Sequence, residues 1–117
     1  MRLKLDIEQL DDILLVRFHG ELDHHASEDV KTRLEEALKN PDIKKLVFNF
    51  ADLSFMDSSG LGVILGRYKT MAQKEGTLIV CAANPIVKKV LELSGIMKIL
   101  PVLDKETDAL SYLGVAQ

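Results

Sequence analysis

An apolar run, Leu46 to Phe50, broken only by Asn49, is followed by a helical pattern in which Leu61, Ile64, Leu65, Tyr68, Met71 and Ala72 recur at i, i+3, i+4 and i+7. A strand that is apolar at nearly every position has no wet face, so it is expected to be covered on both sides. A helix with one apolar stripe needs such a surface to cover. This hand-over from buried strand to amphipathic helix commits the chain to an α/β sheet with a parallel centre. The junction reads Phe55-Met56-Asp57-Ser58-Ser59-Gly60-Leu61-Gly62. Ser58 or Ser59 is the expected N-cap, since a hydroxyl oxygen accepts from the free amides of the first turn. Those amides and the positive end of the helix dipole also favour an anion at this point.

Capping by itself accounts for one serine before a helix. Here two serines adjoin an aspartate and two glycines, with Met56 and Leu61 supplying apolar surface close by. That combination suits a protein-recognition surface with an accessible hydroxyl at its centre. Three catalytic alternatives fail on spacing. A nucleophile elbow requires a glycine two residues before the serine, and neither serine has one. The phosphate-loop pattern is absent. Gly60, Gly62 and Gly66 are spaced one residue too long for the dinucleotide fingerprint, and the last glycine falls inside the helix.

Elsewhere the chain repeats the same alternation. Leu3, Leu5 and Ile7 alternate with Lys4, Asp6 and Glu8, the pattern of a half-buried strand. Asp11-Asp12 supplies a turn, and Ile13 to Val16 begins a more deeply buried partner strand, making an antiparallel hairpin. Asp23 is the expected cap of a helix whose stripe is Val30, Leu34, Ala37 and Leu38, ended by Asn40-Pro41. After the central helix, Gly76 is the expected left-handed residue at its end. Thr77 to Ala82 is a further buried strand, and Asn84-Pro85 opens a helix running through Val87, Val90 and Leu91 to Gly95. Ile96 to Val102 is expected to hold a short last strand, and Asp104 to cap a final helix buried through Leu110 and Leu113. The order is β-β-α-β-α-β-α-β-α, one mixed, mostly parallel sheet with an antiparallel first strand and about four helices.

At 117 residues the chain is expected to form a single domain, residues 1–117, with a core that needs no staples. A net charge of −3 with no basic run argues against a nucleic-acid partner. The lone Cys81 sits in an apolar run and reads as a buried small hydrophobe. No segment has the length of a membrane span, and the first residues alternate charges unlike a signal peptide, so a cytoplasmic location is expected. His24 and His25 invite a metal reading, but adjacent helical residues point about 100° apart and no third ligand is suitably spaced. No metal and no cofactor are expected. Loops at the carboxyl ends of parallel strands share one side of the sheet, so the Gly20–His25 and Ala51–Ser59 segments are expected to be neighbours.

Two segments carry a resemblance that spans essentially the whole chain. Gly20-Glu21-Leu22-Asp23 and Met56-Asp57-Ser58-Ser59-Gly60-Leu61-Gly62, each after an apolar strand, resemble the STAS domain shared by anti-sigma factor antagonists and sulfate-transporter tails. The wording Asp-Ser-Ser-Gly-Leu-Gly is most similar to the stand-alone antagonists of the anti-sigma-F factor. The resemblance implies a binding protein without catalysis of its own. It implies that the unphosphorylated form binds an anti-sigma factor that is also a serine kinase, releasing sigma-F for sporulation transcription. It assigns Ser58 as the phosphoacceptor and a PP2C-type serine phosphatase as the resetting enzyme; because capping and presentation compete at either hydroxyl, Ser59 stays open as the second option. Asp23, His24, Asp57, Ser58, Ser59, Gly60, Leu61 and Gly62 are then the expected partner surface. A STAS antagonist of another pathway, such as a general stress response, stays open, and a free monomer is expected.

Overall fold

The computed structural model describes residues 2–116. Strand β1 (Lys4–Leu10) and strand β2 (Ile13–Leu22) form the expected antiparallel hairpin, with Leu10 opposite Ile13 and Asp11 turning at φ +54°. Helix α1 (His24–Ala37) carries the chain to strand β3 (Lys45–Met56), which lies parallel to β2. Helix α2 (Ser58–Gln73), strand β4 (Thr77–Cys81), helix α3 (Pro85–Ser94), strand β5 (Val102–Leu103) and helix α4 (Glu106–Tyr112) complete the chain. The sheet order is β1-β2-β3-β4-β5, and every pairing after the first is parallel.

The two faces of the sheet are covered unequally. Leu14, Val16, Phe18, Leu46, Phe48, Phe50, Leu78 and Val80 form one core with Val30 and Leu34 of α1, Val63, Ile64 and Met71 of α2, and Val87 and Leu91 of α3. The rings of Phe18, Phe48 and Phe50 meet within it, the two edge-on pairs having centroids 5.0 Å apart. Ile13, Leu15, Val47, Ile79 and Cys81 face the opposite way and pack under Ala109 of α4. Because both faces are covered there, burial is unbroken from Ile13 to Val16 of β2 and from Leu46 to Phe48 of β3. A polar clamp fixes α4: Arg17 Nε and Nη2 donate to the two carboxylate oxygens of Glu106 at 3.0 and 3.2 Å, and Asn49 Nδ2 donates to Glu106 at 2.8 Å.

Several expectations are corrected. Strand β3 runs on to Met56, so the expected loop from Ala51 to Ser59 is mostly strand. It does so because β2 also continues to Leu22, with register shifts near Arg17 and Gly20 that keep Leu53 and Met56 pointing inward. The buried face of α2 is Gly60, Val63, Ile64, Arg67 and Met71, whereas Leu65 and Ala72 are exposed and Leu61 and Tyr68 only half-buried. The helix is rotated relative to the purely apolar stripe, because the guanidinium of Arg67 is accommodated beneath it by Glu35, to which Nη2 donates at 3.0 Å.

At the end of α2, Glu75, not Gly76, takes the left-handed conformation, at φ +58°. Gly76 is needed for another reason: a Cβ there would lie 2.5 Å from the carbonyl oxygen of Lys44. Ala82, expected in β4, lies just past it with φ +62°. The expected strand from Ile96 to Val102 is instead a 3-10 turn, Ile96–Lys98, followed by the two-residue β5. Left-handed Gly95 starts that turn, and Ile96 and Leu100 drop into the core on one side of it. Helix α4 has Lys105 at its cap position with no side-chain bond, so Asp104 is not the cap. Ala109 is its buried residue, with Leu110 and Leu113 half-buried beside it.

Candidate functional site

Strands β2 and β3 end in step, with Leu22 opposite Met56. The next residue on each, Asp23 and Asp57, is extended (φ −104° and −111°) and serves as the N-cap of the following helix. Asp23 is therefore the cap expected for α1, its Oδ1 accepting from the Ala26 amide at 3.0 Å. For α2 the expectation of a serine cap is corrected. Asp57 Oδ1 accepts from the Ser59 amide at 2.9 Å, and Asp57 Oδ2 accepts from the His24 amide at 3.2 Å. One carboxylate thus closes the first turns of both α1 and α2. A hydroxyl has a single oxygen and no charge, whereas the carboxylate satisfies two donors while sitting at two positive helix ends.

The change of cap alters what the serines do. Ser58 becomes the first residue of α2, exposed, with no side-chain hydrogen bond to its hydroxyl among the described residues. Ser59 is half-buried, and its Oγ lies 3.5 Å from Nδ1 of His24. His24 and His25 are both exposed, with ring centroids 6.0 Å apart. Among the described residues, no group of three His, Cys, Asp or Glu side chains gathers as a metal would require.

The expected neighbourhood of the two strand ends is present: Asp23, His24, Asp57, Ser58 and Ser59 lie together on one edge of the molecule. Gly60 is buried below them. A Cβ at that position would meet Met56 Cγ at 2.6 Å and Leu22 Cγ at 3.1 Å, so its lack of a side chain seats α2 against the strand ends. Leu61 is half-buried and Gly62 exposed. The residue that sequence reasoning missed is Arg67. A charged residue inside an apolar helix pattern reads as solvent-facing, yet its side chain is only 4% exposed. Burial lowers its pKa from the usual arginine value, and the nearby Glu35 carboxylate opposes that. The only sequence signal was its spacing, three and four residues from Ile64 and Met71.

A free hydroxyl set between two capped helix ends, with apolar and glycine surface around it, defines a recognition module of the α/β class. The chain belongs to the STAS-domain family, and within it to the anti-sigma factor antagonists. The STAS domain model matches residues 4–109. An anti-sigma F factor antagonist from Paenibacillus polymyxa is 46% identical over 115 residues, covering 98% of each chain. The structure of the anti-sigma factor antagonist SpoIIAA in its unphosphorylated form superimposes with a TM-score of 0.85 at 31% identity, covering 97% of this chain and 100% of that one. The Bacillus cell fate determinant SpoIIAA in its phosphorylated form gives a TM-score of 0.76 at 31% identity, covering 94% and 99%. No helix among the described residues is long and apolar enough to cross a membrane.

Proposed function

We propose that this protein is an anti-sigma-F factor antagonist switched by phosphorylation of Ser58. Unphosphorylated, it binds the anti-sigma factor, itself a serine kinase, and so frees sigma-F for sporulation transcription in the cytoplasm. Asp23, His24 and the Asp57–Gly62 segment supply the partner surface, with Gly60 acting from below by seating the helix. The kinase then joins Ser58 Oγ to the γ-phosphorus of ATP as the bond to ADP breaks, the hydroxyl proton passing to a base of the kinase. A PP2C-type phosphatase hydrolyses the phosphoserine and restores the binding form. The protein contributes no catalysis, cofactor or metal, and acts as a monomer without nucleic acid or membrane.

The observation that carries this reading is the state of the Ser58 hydroxyl. It is exposed at the first position of α2 and free of side-chain bonds among the described residues, while its neighbours Asp57 and Ser59 are held by His24. Ser59, half-buried against His24, is the positioning residue. A phosphate on Ser58 adds about −1.5 to −2 charges at neutral pH. The helix end tolerates that anion, so the fold survives, while a partner surface fitted to a neutral hydroxyl beside Asp57 does not accept it. The existence of one relative in both phosphorylation states supports the same reading.

The test is intact-mass and peptide mapping after incubation with the anti-sigma-F kinase and ATP. One phosphate on Ser58, lost in Ser58→Ala, is expected, with Ser58→Ala still binding the kinase and never released. No modification, or modification elsewhere, refutes the assignment.

A further inference from the structure

Strand β1 is an outer strand of the sheet, and among the described residues β2 is the only strand it pairs with. The two-residue turn at Asp11 and Asp12 fixes which of its backbone groups face outward. Leu10 and Ile13 close that turn and exchange backbone hydrogen bonds, so Glu8, Asp6 and Lys4, at the same alternation, direct theirs to β2. The N–H and C=O groups of Leu5 and Ile7 are then directed to the open side. No proline and no register shift interrupts the strand. An edge of this kind accepts another strand unless its charges forbid it.

The charges forbid most strands and admit one. Residues 2–8 read Arg-Leu-Lys-Leu-Asp-Ile-Glu. Laid antiparallel on a second copy with Leu5 opposite Leu5, Lys4 faces Asp6, Arg2 faces Glu8 and Leu3 faces Ile7. Every charged pair is then of opposite sign, and the outward backbone groups of Leu5 and Ile7 meet partners. Slipping the register by two residues either way sets Lys4 against Lys4 or Asp6 against Asp6, which is unfavourable. Arg2 and Lys4 are exposed and carry no ion pair among the described residues. Asp6 and Glu8 approach Arg17 at 3.6 and 3.1 Å, yet their side chains stay 61% and 46% exposed. The other side of the strand agrees. Leu3, Leu5 and Ile7 pack against the core but are only half-buried, and Leu3 and Leu5 border an open groove of about 290 Å³ with Ala26, Val30 and Arg33 of α1.

We infer that the free protein associates with a second copy of itself through β1, as a two-fold dimer in which the two sheets become one. The contact is isologous, so each charge pair occurs twice. One strand pair is small beside the roughly 1,200–2,000 Å² of stable interfaces, so the dimer is reversible and forms as concentration rises. The monomer expected from the sequence is then the dilute form. Ser58 follows β3, two strands in from the joint, so the antagonist function belongs to each protomer and does not rest on the pairing.

Sedimentation velocity of the full chain from micromolar to millimolar concentration tests this, with amide hydrogen exchange at both ends of that range. Association is expected to weaken as salt is raised, because the charge pairs are exposed. The amides of Leu5 and Ile7 are expected to exchange several-fold more slowly at high concentration, whereas those of Asp6 and Glu8, already bonded to β2, keep their rates. Lys4→Asp and Asp6→Lys each set like charges opposite one another and are each expected to weaken association about tenfold or more. An equimolar mixture of these two variants forms the dimer that neither forms alone, a result that a contact within one chain does not give. A chain that sediments as a monomer at every concentration overturns the inference. So does association that is indifferent to both variants, or that leaves the Leu5 amide unprotected. The exchange measurement uses the unsubstituted protein and decides the matter even where a variant fails to fold. Binding of the anti-sigma factor is read separately and stands or falls without it.

Discussion

Asp57 is the residue on which the geometry of the two helix ends depends, and its removal should be measurable as stability. Its carboxylate accepts two backbone bonds, from Ser59 at 2.9 Å and from His24 at 3.2 Å. Loss of an N-cap costs about 1 kcal/mol. The second bond, also charge-assisted, is worth on the order of 1–2 kcal/mol, reduced here because the His24 amide is at the exposed end of α1 and water can replace the acceptor. Asp57→Ala is therefore expected to lose about 2 kcal/mol. Asp57→Asn keeps one acceptor oxygen and loses the charge that two helix dipoles favour, so about 1 kcal/mol is expected. Asp23→Ala provides the internal comparison: its side chain accepts a single amide, from Ala26, and should also lose about 1 kcal/mol. Urea unfolding of the three variants gives the order, and hydrogen exchange gives the location. In Asp57→Ala the amides of both His24 and Ser59 should exchange faster, although they lie on different helices. Equal stabilities for Asp57→Ala and Asp23→Ala, or faster exchange at Ser59 alone, would refute the shared cap.

Two further expectations concern the other face of the sheet. Burial pushes the Glu106 carboxyl up, but hydrogen bonds from Arg17 and Asn49 outweigh it and hold the group below the usual glutamate range. A carboxylate depressed in the folded state stabilises above its unfolded pKa and loses that contribution as pH falls through the folded value. Glu106→Gln should thus lose on the order of 1–2 kcal/mol at pH 7, and the gap to the unsubstituted protein should close below about pH 4 in unfolding titrations; a gap independent of pH counts against the clamp. Burial, reinforced by Glu106, pushes the Cys81 thiol up to about 12. At pH 8 its thiolate fraction falls about three orders of magnitude below that of an ordinary cysteine, so iodoacetamide should label it only after unfolding; rapid labelling of native protein would contradict its burial.

The order of elements was legible because each buried strand is a short apolar run and each helix has a repeat of its own. Asp23 as a cap, the Asn84-Pro85 helix start and the nearness of the two strand ends followed from local chemistry and parallel topology alone. Strand β3 was read short because Ala51, Asp52 and Ser54 interrupt its apolar run. What extends it is the partner strand β2, which lies far away in sequence. Ser58 or Ser59 was the expected cap, and Asp57 takes that place for the same reason, since the His24 amide that occupies its second oxygen lies on another helix. Leu65, expected on the buried stripe, is exposed while Arg67 is buried, because Glu35 on α1 makes a buried guanidinium tolerable. In each case the deciding partner lies in another element.

The strand order of the sheet also bears on how the protein comes into being. Since β2 pairs with β1, β3 with β2, β4 with β3 and β5 with β4, each strand finds its partner already made when it leaves the ribosome. No strand waits for a later one to be inserted between itself and a neighbour, so the loops that must close are short and the closure entropy is small. Each addition leaves only one growing edge exposed to other nascent chains, which limits the opportunity for mispairing during synthesis. Helix α4 caps the second core and is joined to Arg17 of β2 through Glu106. Docking of α4 is thereby coupled to the β1–β2 hairpin.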